Sequence, residues 1–418
     1  MGSLVLEGGR ILTLNVGDLP RRGHAMRELG IIEQGSVHCV DGEIVAVSDG
    51  SIDVSGPHER VDVQGRIIMP AFVDCHTHAC WAGDRFDEFE MALAGTAYLD
   101  ILKAGGGIMS TVRAVRDASE DDLVALLGWR LRKMMNLGTG TVEVKSGYGL
   151  TTADELKMLR AVHRAQGQSP LSLTGTFLGA HAIDRDDDNF IERTIKETLP
   201  AVAEEFPGIT CDAYCEEGSW SFNDTRRLFE SAMALGCSIR IHTDQFNSMG
   251  MTGWSVDAGA LSVDHLEAVT EKDLAKLAAS DTIGVALPAS GFQLDDRYAP
   301  GRALIDQDGI LAIASNYNPG SAPSPSVPFT IALACRKMHL TPAEAITAST
   351  VNAACVLRRE SHVGRIAAGM RADLQVLDIL DERELAYEFA TAGPALVVLN
   401  GRIVQSRLVD PTDDAEAE

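Results

Sequence analysis

The sequence predicts an α/β fold: a (β/α)8, TIM-like barrel with a small β-sandwich-like domain built from both chain termini. The middle of the chain alternates β-rich apolar runs with helical patterns such as DDLVALLGWRLRKMMNLG and NDTRRLFESAMALG. Eight strands alternating with helices is the number that such a barrel contains. The two chain ends instead carry short strands broken by Gly or Asp-Gly turns, as in SVHCVDGEIVAVSDG and PALVVLNGRIV, and this texture is typical of hairpins.

The eight predicted barrel strands alternate with helices along most of the chain. They are Ile67–Cys75, Thr139–Lys145, Leu171–Leu178, Ile209–Cys215, Ser238–Thr243, Ala260–His265, Thr282–Leu287 and Ile310–Ser315. Two of the intervening helical patterns end at Gly167 and Gly236, where glycine can terminate a helix. A doubly wound open sheet is the alternative, because it also alternates strands with helices.

We expect the chain to divide into three segments. Residues 1–67 form the N-terminal part of the small β domain, residues 68–364 form the barrel, and residues 365–418 complete the small domain. The last of these ends in DPTDDAEAE, which we expect to be a solvated acidic tail.

The overall charge argues against two classes of partner. The 418 residues include 36 Lys and Arg and 60 Asp and Glu, a formal net charge of −24. A surface this acidic repels phosphate backbones and anionic lipids, so we expect no nucleic acid and no membrane among the partners. The sequence also contains no apolar run long enough to span a bilayer and no signal-peptide pattern.

The cysteines indicate a reducing environment. There are 8 of them, scattered along the chain without a CxxC pair and mostly inside apolar runs. This pattern is typical of buried thiols and not of a disulfide framework or a zinc ribbon. We therefore expect a cytoplasmic protein.

Histidines recur at the ends of the predicted barrel strands. His76 and His78 follow the first strand, His181 the third, His242 the fifth and His265 the sixth. Five of the 11 histidines thus fall where the C-terminal ends of the strands build the site in such barrels. The HxH pair alone could be two solvated residues at a strand end, but this clustering favours a metal site.

The histidines predict which residues bind the metal. Residues i and i+2 of an extended backbone point the same way, so His76 and His78 can converge on one ion. With His242 they supply three imidazoles and leave a coordination position open, which suits Zn²⁺ or iron that activates water. We expect His181 and His265 to contact the substrate or to support the ligands.

The motif series resembles the imidazolonepropionase family of the amidohydrolase superfamily. The matching segments are MPAFVDCHTHACWAGDR, GTAYLDIL, AGGGIMSTVRAVR, TVEVKSGYGL, ELKMLRA, IHTDQ, SVDHLE, NYNPGSA and GRIAAGMRADL. HxH alone would indicate only the superfamily, whereas EVKSGYGL and NPGS are much narrower. The resemblance implies a (β/α)8 barrel that holds one Zn²⁺ or Fe²⁺/Fe³⁺ ion. It also implies that water opens the ring of 4-imidazolone-5-propanoate, giving N-formimidoyl-L-glutamate in histidine degradation.

The resemblance also implies roles for individual residues. By matching motifs, His76, His78 and His242 correspond to metal ligands, and we assign His265 and Asn316 to the catalytic positions. The substrate-contacting positions are Arg85, Tyr98, Tyr148, His181 and Gln245, and the loop that holds substrate or product carries Asn318, Gly320 and Ser321. The guanidinium of Arg85 suits a propanoate carboxylate because it can donate two parallel hydrogen bonds.

Position 316 departs from the family pattern. The family has Asp at the end of the eighth strand, where it is a metal ligand and the expected base for the attacking water. Here the residue is Asn316, whose amide oxygen can coordinate a metal but cannot hold a proton. Gln245 stands where some family members carry Glu, so it offers no replacement carboxylate.

Three functions therefore remain open. The chain is an imidazolonepropionase whose activity Asn316 impairs, a sister amidohydrolase that acts on a different cyclic amide or amidine, or a non-catalytic paralogue that binds a small carboxylate. In each case we expect a small-molecule partner with a carboxylate. We also expect that the chain can form a homodimer.

Overall fold

The computed structural model describes residues 2–96, 106–390 and 392–408. Its strands are β1 (Ser3–Leu12), β2 (Ile31–Val40), β3 (Glu43–Asp49), β4 (Glu59–Asp62), β5 (Ile67–Pro70), β6 (Phe72–Asp74), β7 (Thr139–Lys145), β8 (Ser172–Ala180), β9 (Thr210–Cys215), β10 (Ile241–Thr243), β11 (Ser262–His265), β12 (Ile283–Ala286), β13 (Leu311–Ile313), β14 (Leu374–Leu377), β15 (Leu396–Leu399) and β16 (Arg402–Ser406).

The helices lie mostly between the strands of the middle region. They are α1 (Phe86–Leu93), α2 (Ile108–Asp117), α3 (Glu120–Met135), α4 (Thr152–Gln166), α5 (Phe190–Arg193), α6 (Leu199–Glu205), α7 (Phe222–Ala234), α8 (Met251–Asp257), α9 (Glu271–Ala278), α10 (Pro288–Leu294), α11 (Gly301–Asp306), α12 (Val327–Lys337), α13 (Pro342–Ala348), α14 (Val351–Val356) and α15 (Glu384–Tyr387). A 3-10 helix covers Gly23–Arg27 and a π-helical turn covers Thr194–Thr198. Within the described segments, none of the helices has both the length and the apolar character needed to cross a membrane.

Side-chain caps determine where several helices begin. Ser119 precedes α3 and accepts the backbone N–H of Asp122, whose carboxylate accepts the backbone N–H of Ser119 at 3.1 Å. This capping box satisfies two backbone donors near the helix start. Side-chain caps at other helix starts are provided by Thr151, Ser221, Thr270, Ser326 and Thr341.

The first sheet joins the two ends of the chain. Its strand order is β16-β15-β14-β5-β1-β2-β3, with β4 pairing alongside β1. The N-terminal and C-terminal parts meet where β5 and β14 run antiparallel, with Pro70 opposite Leu374 and Ile67 opposite Leu377. The sheet has a buried apolar cluster of its own, which includes Leu6. The prediction of a small β domain built from both termini is therefore confirmed, as a mixed sheet.

The second sheet is the barrel. Strands β6 to β13 follow one another in chain order, and each neighbouring pair is parallel. The ends nearly close: the backbone N–H of Asn316, beyond β13, donates to the carbonyl of His76, beyond β6, at 3.1 Å. A doubly wound sheet would instead reverse its strand order at a switch point. The predicted (β/α)8 barrel is confirmed, and the open-sheet alternative is wrong.

The first predicted barrel strand, Ile67–Cys75, divides between the two sheets. Its first part, Ile67–Pro70, forms β5 of the terminal sheet, and Phe72–Asp74 forms β6 of the barrel. Ala71 is the crossover residue, and its backbone N–H donates to the carbonyl of Asp373 at 3.0 Å. Because both parts are fully buried, the apolar pattern runs through the crossover without a break.

The carboxyl ends of the barrel strands carry sharp turns. Asp244, His265 and Asn316 follow or end three of these strands with positive φ angles of 57°, 89° and 53°. Residues other than glycine adopt this backbone region rarely, and those that do are concentrated at functional sites. Three such turns lie at the carboxyl end of the barrel strands, which is the end where this fold builds its sites.

Candidate metal centre and active site

Three histidines meet at the carboxyl end of the barrel. His76 and His78 lie just beyond β6, and His242 lies within β10. All three are buried, and one ring nitrogen of each lies within 4.8 Å of the others. The ring centroids of His76 and His242 are 4.4 Å apart, and those of His78 and His242 are 5.3 Å apart. The fold thus brings together the three histidines predicted as metal ligands.

Two buried aspartates determine which ring nitrogen carries the proton in two of these histidines. Nδ1 of His76 lies 2.5 Å from Oδ2 of Asp264, and Nδ1 of His242 lies 3.0 Å from Oδ1 of Asp212. An ionised carboxylate only accepts hydrogen bonds, so Nδ1 carries the proton in both rings and Nε2 presents its lone pair. Such carboxylate–histidine pairs orient ligands in many metal sites.

The remaining ring nitrogens fit a metal cation. Nε2 of His76 is buried without a hydrogen-bond partner among the described residues. Nε2 of His78 lies 3.3 Å from Nε2 of His242. Two imidazoles bound at about 2.0–2.1 Å to one tetrahedral ion place their nitrogens roughly 3.3–3.4 Å apart. Both the donor type and this spacing suit Zn²⁺ or iron.

The environment keeps the three rings neutral. Burial, reinforced by the positive charge of Lys145, holds the pKa of His76 well below its ordinary value, and burial beside His181 does the same for the pKa of His78. Burial also lowers the pKa of His242. Neutral imidazole is the form that binds a metal ion.

A buried ion network lies next to the histidines. Nζ of Lys145 lies 2.7 Å from Oε1 of Glu143 and 2.8 Å from Oδ2 of Asp212. Nη2 of Arg240 lies 2.6 Å from Oδ2 of Asp264, and its Nη1 lies 3.3 Å from Oε1 of Glu143. The five side chains are at most 1% exposed. Each carboxylate faces a cation, which offsets the large cost of burying an unpaired charge.

His181 and Tyr148 form one wall beside His78. The ring of His181 stacks on His78 with centroids 4.8 Å apart and planes at 19°, and the Tyr148 ring lies 5.1 Å from His181. Nδ1 of His181 lies 3.1 Å from the carbonyl of Gly147, which fixes the ring. Gly147 has φ of +105°, and a Cβ there would lie 2.8 Å from the carbonyl oxygen of Leu178, so the turn requires glycine. Two of the predicted substrate contacts thus border the three-histidine cluster.

Gln245 is held by Tyr214, which is not among the residues predicted from the sequence. The hydroxyl of Tyr214 donates to Oε1 of Gln245 at 2.9 Å, and the Tyr214 ring lies 6.4 Å from His181 and 6.1 Å from His242. Tyr214 precedes Cys215 at the end of the run ITCDAYC, where an aromatic residue looks like part of the core. Its hydroxyl fixes the Gln245 amide close to the histidines.

Arg85 lies next to the predicted substrate loop, since a Cβ on Gly320 would lie 3.4 Å from Nη1 of Arg85. Nη2 of Arg85 donates to Glu88, which also accepts the backbone N–H of Gly107 at 3.0 Å. Nε of Arg85 is buried without a partner among the described residues. Tyr98, the other substrate contact predicted on this side of the sequence, lies outside the described residues.

Asn318 fixes the shape of the NPGS loop. Its Oδ1 accepts the backbone N–H groups of Gly320 and Ser321, each at 2.8 Å. Its Nδ2 donates to the carbonyl of Asn316 at 2.7 Å and to the hydroxyl of Ser321 at 2.9 Å. Both ends of the amide are engaged inside the loop, so Asn318 contributes to the site through the loop that it holds.

The comparisons with known proteins agree with this geometry. Residues 67–404 match the amidohydrolase family. The chain belongs to the amidohydrolase family. A protein named imidazolonepropionase from Herpetosiphon aurantiacus is 43% identical over 415 residues, which cover 96% of this chain and 97% of that protein. A protein of the same name from Symbiobacterium thermophilum is 40% identical over 413 residues, covering 96% of each.

Solved structures share the fold of this amidohydrolase at much lower identity. A 5-methylcytosine deaminase from Klebsiella pneumoniae gives a TM-score of 0.73 at 15% identity, covering 97% of this chain and 98% of that one. Guanine deaminase from E. coli gives a TM-score of 0.72 at 14% identity, covering 97% and 100%. At these identities the likeness extends to the architecture alone.

Asn316 stands in this amidohydrolase where the family resemblance implies an aspartate. Its side chain is buried beyond β13, and its Nδ2 donates to the hydroxyl of Ser290 at 2.7 Å. Its Oδ1 is buried without a partner among the described residues. The site therefore offers an amide oxygen at this position and no carboxylate.

His265 lies at the end of β11, close to the other histidines. Its ring centroid is 6.2 Å from that of His76 and 5.6 Å from that of His242. Its Nδ1 lies 3.2 Å from Oε1 of Glu267. Because Glu267 engages Nδ1, Nε2 is the nitrogen that remains for a substrate or water.

Three charged residues of the buried network are not among the residues predicted from the sequence. Glu143, Asp212 and Arg240 are single charges inside the runs TGTVEVK, ITCDAYC and SIRIHT. A charge on a fully buried strand needs a partner. Glu143 in β7, Asp212 in β9 and Arg240 just before β10 were therefore a signal for the network.

Proposed function

We propose that this protein is an imidazolonepropionase, which uses water to open the ring of 4-imidazolone-5-propanoate and forms N-formimidoyl-L-glutamate in histidine degradation. Membership of the amidohydrolase family and similarity over nearly the whole chain to two proteins of that name support the proposal. The observation that carries it is the buried cluster of imidazoles from His76, His78 and His242 at the carboxyl end of the barrel.

We propose that the three histidines hold one Zn²⁺ or iron ion, with Oδ1 of Asn316 as a fourth donor. When bound, the ion supplies Lewis acidity that polarises a carbonyl and lowers the pKa of water. The lone pairs of His76 and His242 and the unpartnered Oδ1 of Asn316 support this ligand set. An imidazole-rich site favours zinc or iron over Mg²⁺ and Ca²⁺, which prefer oxygen ligands.

The proposed substrate-binding residues surround these histidines. Arg85 binds the propanoate carboxylate with its guanidinium, displacing or sharing Glu88. Tyr148 and His181 contact the planar ring from the wall beside His78. Gln245, with its amide fixed by Tyr214, offers a hydrogen bond from another direction. The loop that carries Asn318, Gly320 and Ser321 contacts the ligand next to Arg85.

We propose that His265 and Asn316 take part in the reaction. Water adds its oxygen to the ring carbonyl carbon, the C–N bond breaks, and one proton of the water ends on the leaving nitrogen. Nε2 of His265 can bond to the water or to the carbonyl oxygen, because Glu267 holds Nδ1. Asn316 can orient the water through its amide oxygen but cannot take its proton. We therefore expect turnover to be slow.

A turnover assay tests the proposal. The protein, loaded with zinc or iron and checked for metal content, is incubated with 4-imidazolone-5-propanoate, and N-formimidoyl-L-glutamate is detected by mass spectrometry. Product formation supports an imidazolonepropionase. Hydrolysis of another cyclic amide or amidine, with none of this substrate, identifies a sister amidohydrolase. Binding without hydrolysis, in this protein and in Asn316→Asp, identifies a carboxylate-binding protein without catalysis, the alternative that Asn316 keeps open.

We also propose a cytoplasmic location. The cysteines, all of which lie in the described segments, are unpaired, and this supports a reducing compartment. The homodimer stays a prediction, which light scattering coupled to size-exclusion chromatography would measure.

A further inference from the structure

Glu143 is a buried carboxylate that contacts several residues around the three histidines, and substrate binding does not explain these contacts. It lies in β7, is completely buried, and has both carboxylate oxygens engaged. Oε2 accepts the backbone N–H of Thr77 at 3.1 Å, while Oε1 lies 2.7 Å from Nζ of Lys145 and 3.3 Å from Nη1 of Arg240. Its main chain is fixed as well, since the Thr77 hydroxyl donates to the Glu143 carbonyl at 2.6 Å.

The contact with Thr77 bears on two of the histidines at once. Thr77 is the residue between His76 and His78, so a bond to its N–H fixes the backbone that carries both rings. A shift of this peptide would move both ring nitrogens together. Glu143 therefore restrains the HxH turn from the neighbouring strand.

The two cations connect Glu143 to the ring nitrogens. Lys145 bridges Glu143 and Asp212, and Asp212 bonds to Nδ1 of His242. Arg240 likewise pairs with Asp264, and Asp264 bonds to Nδ1 of His76. Arg240 also donates to the carbonyl of Cys75 at 2.8 Å.

We propose that Glu143 is a positioning residue for the metal centre, a single buried carboxylate that holds all three histidine ligands through Thr77, Lys145 and Arg240. The inference rests on the proposed function in one respect, namely that the three histidines bind a metal ion. It adds a residue that touches neither the ion nor the substrate and that acts only through its neighbours.

The net charge of the network is a second way in which Glu143 affects metal binding. Three carboxylates and two cations leave one excess negative charge beside three neutral imidazoles. Asn316 adds no charge where an aspartate would, so this excess is a countercharge that the network itself offers to a cation. Replacing Glu143 by the isosteric Gln removes it while keeping an acceptor for the Thr77 N–H.

The test measures metal binding directly. Apo-protein is prepared with a chelator, Zn²⁺ affinity is measured by competition with a chromophoric chelator, and the visible spectrum of the Co²⁺-substituted protein reports ligand geometry. We expect Glu143→Gln to weaken Zn²⁺ binding by about 10- to 100-fold, the usual effect of losing a group that supports metal ligands, and to change the Co²⁺ spectrum.

Glu344→Gln is the matched control. The Glu344 side chain is also completely buried, pairs with the two guanidinium groups of Arg27 and Arg302, and accepts the backbone N–H of Thr341 at 2.7 Å. It belongs to the cap of α13 and has none of these links to the histidines. We expect its substitution to lower the melting temperature and to leave Zn²⁺ affinity and the Co²⁺ spectrum unchanged.

A charge-balanced variant covers the case in which Glu143→Gln does not fold. Glu143→Gln combined with Lys145→Met removes one anion and one cation together, and we expect it to fold and to bind Zn²⁺ more weakly than the unmodified protein. Unchanged Zn²⁺ affinity and Co²⁺ spectrum in either folded variant would overturn the proposal. Unfolding of both variants, with Glu344→Gln folded, would assign the network to barrel stability and also overturn it. Failure of the unmodified protein to bind Zn²⁺ or iron would instead refute the metal centre itself.

Discussion

The amide of Asn316 donates a hydrogen bond to the hydroxyl of Ser290 at 2.7 Å, and its Oδ1 is left buried without a partner among the described residues. A serine hydroxyl can accept or donate. An aspartate at position 316 would therefore keep the bond with its direction reversed. The substitution Asn316→Asp changes the charge and the proton capacity of the site without removing this contact.

We predict that Asn316→Asp raises kcat by at least about 100-fold, within the range of general acid–base catalysis. The carboxylate can take a proton from the attacking water and deliver it to the leaving nitrogen. Its negative charge should also increase the affinity for the metal ion. The measurement compares kcat of the two proteins with 4-imidazolone-5-propanoate, after metal analysis of each. Equal rates would mean that another group carries the proton, and His265, whose Nδ1 alone is engaged by Glu267, would be the next candidate.

We predict that His242→Ala loses most of the bound metal, because it removes one of three imidazoles that converge on one point. Elemental analysis of protein purified without a chelator should give about one equivalent for the unmodified chain. The control is His163→Ala, an exposed histidine of α4, which should keep its metal. A stoichiometric ion that survives His242→Ala would refute the ligand assignment.

The histidine cluster could be predicted from the sequence because two simple rules combine. Alternation along a strand puts His76 and His78 on the same side, and the barrel topology gathers the carboxyl ends of parallel strands at one face. His181, His242 and His265 reach the same place by the second rule alone. No side-chain contact had to be known in advance.

The ion network and the crossover at Ala71 are harder to predict, for physical reasons. Glu143 and Arg240 find their partners across strands that are far apart in sequence, so their pairing depends on barrel order and register. The strand break at Ala71 leaves no mark in the hydropathy, because the apolar residues on both sides are equally buried, and Pro70 is its one sequence signal. The Arg85–Glu88 pair has a local signal, since residues three apart on a helix turn can pair.

We predict that Asn318→Ala raises KM more than Asn318→Asp does. Alanine removes all four hydrogen bonds that the amide makes inside the loop, whereas aspartate can still accept the N–H groups of Gly320 and Ser321. Each lost hydrogen bond costs about 0.5–1.5 kcal/mol, so the alanine loop should be the more mobile one. Steady-state kinetics on both variants measure this. Identical KM values for both variants and the unmodified protein would show that the loop shape does not depend on this side chain.

We predict that Arg85→Ala weakens binding of a carboxylate ligand by about 1.5–3 kcal/mol, the range for charge-assisted hydrogen bonds. This corresponds to roughly 10- to 150-fold in Kd. An analogue without the carboxylate should bind both proteins almost equally.

Glu88→Gln should act in the opposite direction and strengthen binding of the carboxylate ligand, because Glu88 competes for the same guanidinium. Arg164→Ala, at a surface ion pair on α4, is the control and should leave both affinities unchanged. Isothermal titration of the two ligands provides the measurement. An equal loss of affinity for both ligands in Arg85→Ala would show that this guanidinium supports the fold and does not bind the carboxylate.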